Sequence, residues 1–181
     1  MDAEHIRQIV AKYFTDKLWA VHFEVGIVKS GRLRVDVLAT NMRSEIVIVE
    51  IKSSVADFKA DKKMGLYAKY CDKLYLAMSE EVYAKVKHLV PKGIGVFLVG
   101  RVTMRNKKRA TINEIKRSVR LNVITRMAYR SASATRGKRK NKEARPQFLA
   151  KLAVDSLYDC GDLPNRMSAR HIVAESIKRY V

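Results

Sequence analysis

Residues 45–52 run Glu-Ile-Val-Ile-Val-Glu-Ile-Lys, an apolar stretch broken by an acid and a base two residues apart. In a β-strand successive side chains point to opposite faces. Glu50 and Lys52 therefore emerge on one face with Ile46 and Ile48, while Val47, Val49 and Ile51 take the other. A strand apolar on both faces belongs in the interior of a sheet. The preceding segment, Arg32–Leu38, reads as a second strand whose single acid, Asp36, sits between Val35 and Val37. Ala39–Arg43, with Asn41, is a short connection. Antiparallel pairing about it brings Asp36 towards Glu50.

Residues 2–18 carry Ile6, Ile9, Val10, Tyr13, Phe14 and Leu18 at helical spacing, with Asp2 as N-cap. Trp19–Val28 is a first strand, in which Glu24 lies on the face opposite Phe23 and Val25. After Lys52, Ser53 or Ser54 caps a helix running to about Tyr70, with Phe58, Met64 or Gly65, and Leu66 as core contacts. Asp57 and Asp61 stand four apart on it, a spacing ordinarily filled by solvated charge pairs. Asp72–Met78 is a strand, Ser79–His88 a capped helix and Ile94–Val99 the last core strand. The order α-β-β-β-α-β-α-β describes an α/β sandwich with a central mixed sheet.

From Arg101 the pattern changes. Thr111–Ala128 is helical, residues 129–146 form a flexible basic segment, and Phe148–Tyr158 and Ser168–Tyr180 are short helices. The predicted organisation is a core over 1–100 and a basic helical extension over 101–181.

Charge gives this division a meaning. The 181 residues hold 37 basic and 18 acidic side chains, a net charge of +19. Residues 1–100 contribute 16 and 12 of these, residues 101–181 contribute 21 and 6. Such a balance points to a polyanionic partner, nucleic acid before an anionic membrane. Arg136, Lys138, Arg139 and Lys140 are candidate phosphate contacts in the extension. Two cysteines, Cys71 and Cys160, make neither a disulfide framework nor a zinc spacing. The acidic start and the lack of a membrane-length apolar run predict a cytoplasmic protein without membrane association.

Two carboxylates at neighbouring strand ends, with a backbone carbonyl, suit Mg²⁺, which takes oxygen ligands and keeps several waters. Lys52 would then orient or help deprotonate a water, or offset charge on a phosphate. A buried Asp/Glu/Lys ion cluster is the competing reading of the same residues. Glu24 is a third acid for the site or a polar surface position. Lys59 and Lys62 lie on the helix that follows Lys52, where they border the site and can reach a phosphate backbone. There is no Walker loop, no GxSxG elbow and no Cys/His zinc pattern.

Asp36, thirteen intervening residues and Glu50-Ile51-Lys52 resemble the D…ExK core of the PD-(D/E)XK nuclease superfamily. A longer match over 24–97 resembles its MmcB-type DNA-repair family. It rests on Glu24, Arg34–Leu38, Ile48–Ser54, Ala56–Lys62, Tyr67, Tyr70–Ala77 and Pro91–Phe97, and departs at Met64-Gly65, where a Trp is expected. The resemblance implies a restriction-endonuclease-like sandwich and a metal-dependent DNA nuclease, endonuclease before exonuclease, in repair, recombination or replication. It implies Asp36, Glu50 and the Ile51 carbonyl as ligands of Mg²⁺ (or Mn²⁺), Lys52 as the positioning charge and Glu24 as a support for Lys52 or for the attacking water. A catalytically inactive DNA-binding or repair-accessory protein on the same fold is the alternative, and a third is a basic protein acting through a repair or replication protein. Cleavage of a symmetric junction would call for a homodimer.

Overall fold

The computed structural model describes residues 1–28 and 32–138. Six strands form one mixed sheet, ordered in space as in the chain: β1 (Ala20–Gly26), β2 (Arg34–Thr40), β3 (Ile46–Lys52), β4 (Lys73–Met78), β5 (Gly95–Val99) and β6 (Met104–Lys108). β1, β2 and β3 pair antiparallel; β3, β4 and β5 are parallel; β6 returns antiparallel along β5. The β2–β3 turn falls two residues later than the pattern predicts, since β2 runs on to Thr40, opposite Ile46. Asn41 sets that position: its side-chain oxygen accepts from the N–H groups of Arg43 and Glu45 at 3.0 and 3.1 Å, adding to the backbone turn bond from the Ser44 N–H to Asn41 O at 2.9 Å.

Every residue of β3 is buried, because both faces of the sheet are covered. Ile46 and Ile48 join a core with Leu38, Leu74, Leu76, Phe58, Tyr67 and Val86; Val47, Val49 and Ile51 join another with Phe97 and helix α1 (Ala3–Thr15). The face assignment expected for Glu50 and Lys52 is the one observed. Asp2 caps α1 through its side chain, and Ile6, Val10 and Phe14 make its buried stripe. Leu18 is not part of that stripe: the helix ends at Thr15, and Leu18 sits exposed in a left-handed turn at φ 61°.

Three further elements differ from expectation. The single helix expected from Ser54 to Tyr70 is two pieces, α2 (Val55–Ala60), capped by Ser54, and a 3-10 helix over Met64–Tyr70. Asp61 separates them in an extended conformation, and Gly65 in the second piece would have weakened a continuous helix. After α3 (Glu80–Val86) and β5, the sheet does not stop near residue 100, because β6 adds an edge strand. Its sequence, Met-Arg-Asn-Lys-Lys, has little apolar alternation, and an edge strand tolerates this charge and is protected by it.

Helix α4 begins at Arg117 rather than Thr111 and continues to Lys138, so residues 129–138 are helical where a flexible segment was expected. They lack proline and contain Ala and Arg, which favour helix without needing a core. The start is delayed because Asn113 is tied to the β4 entry, its N–H donating to Asp72 O and its side chain to Cys71 O. Val123 and Met127 belong to the main core, and the chain divides after Met127. Of the second unit, residues 128–181, only the end of α4 is described. No helix among the described residues is long and apolar enough to cross a membrane.

Candidate functional site

β2 and β3 pair from Thr40↔Ile46 to Val37↔Val49 and separate one residue before Asp36 and Glu50. Side chains then replace the ladder. The Asp36 N–H donates to Glu50 Oε1 at 3.2 Å, and the Ile51 N–H donates to Asp36 Oδ2 at 2.8 Å. Each carboxylate thus spends one oxygen closing the fork, and the other takes no hydrogen bond among the described residues. The N–H and C=O of one strand residue face the same edge, so the Ile51 carbonyl lies on the Asp36 side.

The fork has a cause in β1. Phe23 and Val37 pair, as do Val25 and Val35, so Glu24 stands opposite Asp36. On both strands the side chains change face at that point, Phe23 and Val37 packing towards α1, Val25 and Val35 towards the other core. Phe23 and Val25 are therefore on opposite faces, contrary to simple alternation. Glu24 has φ 54°, a left-handed conformation costing on the order of 1 kcal/mol for a side-chain-bearing residue. The β1–β2 ribbon turns here, away from β3. Glu24 is held between Arg7 of α1 at 3.1 Å and Arg34 of β2 at 2.7 Å. It does not join Asp36 and Glu50 in a three-carboxylate group, and no group of three or more His, Cys, Asp or Glu arranged to hold a metal ion occurs among the described residues.

Lys52 and Asp61 form a buried ion pair at 2.7 Å. Asp61 is the site residue that the sequence pattern concealed: its spacing from Asp57 mimicked a solvated helix pair, yet Asp57 is a cap, accepting from the Ser53 N–H at 3.1 Å. Tyr67 also belongs here. Its hydroxyl donates to Arg34 O at 3.2 Å, and burial, reinforced by the charges of Glu50, Asp61 and Asp36, raises its pKa. Tyr67→Phe is expected to fold and to lose about 1 kcal/mol in urea titrations.

Burial raises the Asp36 pKa against the opposing pull of the Ile51 N–H and the Lys52 charge. Glu50 is pushed up to about 8, by burial first and then by the charge of Asp36. A buried and a half-buried carboxylate whose charged forms are disfavoured, both all-oxygen donors beside a backbone carbonyl, fit a hard divalent cation that keeps water ligands. Lys59 and Lys62 are exposed on and just after α2. Arg136 and Lys138 lie in the last turns of α4, while Arg139 and Lys140 lie outside the described residues. Cys71 is buried, and burial pushes its thiol up to about 12, which leaves it unreactive at neutral pH.

Residues 2–143 match the family described as MmcB-like, DNA repair protein MmcB-like. No curated protein matches the chain. A solved protein of unknown function from Silicibacter pomeroyi is similar, with a TM-score of 0.68 at 24% identity over 81% of this chain and 97% of that one. At that identity the likeness concerns the fold.

Proposed function

The chain belongs to the MmcB-like family, described as DNA repair proteins, and from that premise we propose that it is a metal-dependent DNA nuclease on a PD-(D/E)XK, restriction-endonuclease-like sandwich. The observation that carries this reading is the fork itself, with two interlocked carboxylates, Asp36 and Glu50, and the buried Lys52 on the same face of β3. Asp36, Glu50 and the Ile51 carbonyl would hold Mg²⁺ or Mn²⁺. When bound, the ion supplies a Lewis acid for the phosphate and acidifies a water.

The remaining work falls to the chain. Lys52 offers a fixed positive charge to the charge developing on the phosphate. Glu24, pinned by two guanidiniums, keeps the β1–β2 ribbon turned so that the fork stays open. Lys59 and Lys62, exposed on and just after α2, would meet the phosphate backbone. The cleavage test uses end-labelled linear, flapped and branched DNAs with Mg²⁺, Mn²⁺ or EDTA. Cutting with either metal and none in EDTA supports the reading, and internal products identify an endonuclease. Binding without cutting under every condition leaves a DNA-binding or repair-accessory protein instead.

The basic end of the chain has its own expected result. Replacing Arg136, Lys138, Arg139 and Lys140 together by Ala should flatten the salt dependence of duplex binding, by about 0.9 in the log–log slope for each phosphate no longer neutralised. Filter-binding or anisotropy titrations over a salt series measure this. An unchanged slope assigns the grip elsewhere.

A further inference from the structure

Lys52 follows Glu50 by two residues on the same face of β3, and each is 4% exposed. The buried Glu50 and the half-buried Asp36 are the obvious partners for a buried ammonium at that place. Lys52 bonds to neither. Its Nζ lies 2.7 Å from Asp61 Oδ2, the two side chains 5% and 11% exposed, and its charge reaches Asp36 and Glu50 only through space. The backbone is shaped for this arrangement. α2 stops at Ala60, Asp61 adopts φ −78° and ψ 101°, and its second oxygen accepts from the Lys63 N–H at 2.7 Å. One oxygen of the carboxylate is thus fixed on the backbone, and the other is turned to Lys52.

The geometry points to Asp61 as a positioning residue that holds the Lys52 ammonium off Asp36 and Glu50 and so keeps that pair open to a hard divalent cation. The inference rests on the metal site proposed above. Asp36 and Glu50 each commit one oxygen to a backbone N–H, and the other oxygen is the one a cation and Lys52 would compete for. The lysine stem is long and flexible, and the Asp61 pair fixes where its end rests. Without the charge of Asp61 the ammonium would turn to the carboxylates and occupy them.

Mn²⁺ alone is the probe, with affinity read by calorimetry or by the spin resonance of the free ion, on the full chain without DNA. Asp61→Asn keeps the shape and the acceptor for Lys63 while removing the charge, and is expected to weaken Mn²⁺ binding about tenfold or more, the scale of losing an outer-sphere partner. Adding Lys52→Met should restore the wild-type affinity, because the competitor is gone. If Asp61→Asn does not fold by circular dichroism, Asp61→Ser replaces it in both comparisons. Wild-type affinity in the folded single variant would overturn the inference, and so would an equal loss with and without Lys52, since Asp61 would then act on the ion directly. A wild-type protein that takes up no Mn²⁺ sinks the metal reading and this inference together, whereas binding indifferent to Asp61 sinks the inference alone.

Discussion

A Glu50→Gln protein is expected to lose about a hundredfold or more of its Mg²⁺-dependent DNA cleavage, and yet, free of metal at pH 8, to resist urea better than the wild type. The two effects have one origin. Glu50 is pushed up to about 8 in the folded protein from an ordinary value of 4.5. Between those values the folded chain holds a proton that the unfolded chain has released. The stability this contributes is complete below about pH 4.5 and drains away as pH rises through about 8. Glutamine resembles the protonated form at every pH, so the variant should lose the downward slope and gain on the order of 1 kcal/mol or more at the alkaline end. It also cannot hold a divalent ion as a carboxylate does. Urea titrations in EDTA at several pH values, beside single-turnover cleavage, measure both arms. Asp36→Asn should lose cleavage to a similar extent. Wild-type rates in both carboxylate variants would make the fork a purely structural device.

The largest stability effect is expected at Asp72, at the start of β4. Its carboxylate accepts two hydrogen bonds from the Arg120 guanidinium of α4 at 2.6 and 2.7 Å, and another from the Ile46 N–H at 2.7 Å. Arg120 also donates to Ser44 O at 2.7 Å. Asp72→Ala strands a half-buried guanidinium and a buried N–H together, a loss on the order of 3 kcal/mol. Urea unfolding gives the magnitude, and hydrogen exchange along Val119–Met127 should reveal α4 loosening first. Burial alone would raise the Asp72 carboxyl, but the Arg120 and Ile46 hydrogen bonds hold it below its ordinary 3.8. Its contribution is present above that value and is lost as pH falls through the depressed one. The acid limb of the wild-type stability curve should therefore be shallower in Asp72→Ala.

What could be read from the sequence was what depends on local period and local caps. The two faces of β3, the nearness of Asp36 to Glu50, and the caps Asp2, Ser54 and Ser79 follow from alternation and from side-chain oxygens one turn ahead of a donor. What escaped depends on partners far along the chain. Asp61 leaves the helical path for Lys52, nine residues earlier, and Arg120 pairs with an acid 48 residues away. Glu24 is left-handed because the whole β1–β2 ribbon turns there, which no single-residue propensity encodes. β6 was invisible for the opposite reason, as an edge strand needs little apolar pattern to pair. The only local hint of the broken helix was Gly65, in the middle of a segment otherwise suited to one.

The strand order has a consequence for how the chain comes into being. Each strand's neighbours in the sheet are its neighbours in sequence, joined by turns where they are antiparallel and by helical crossovers where they are parallel, so the sheet can grow in the order of synthesis. Asp36, Glu50, Lys52 and Asp61 all precede β4 in the chain and can be assembled once that strand has left the ribosome. The segment made after residue 100 holds 21 of the 37 basic residues. A ribosome is itself largely polyanion, and this chain emerges from it nearly neutral, bringing out most of its positive charge only after the greater part of the sheet is available to fold.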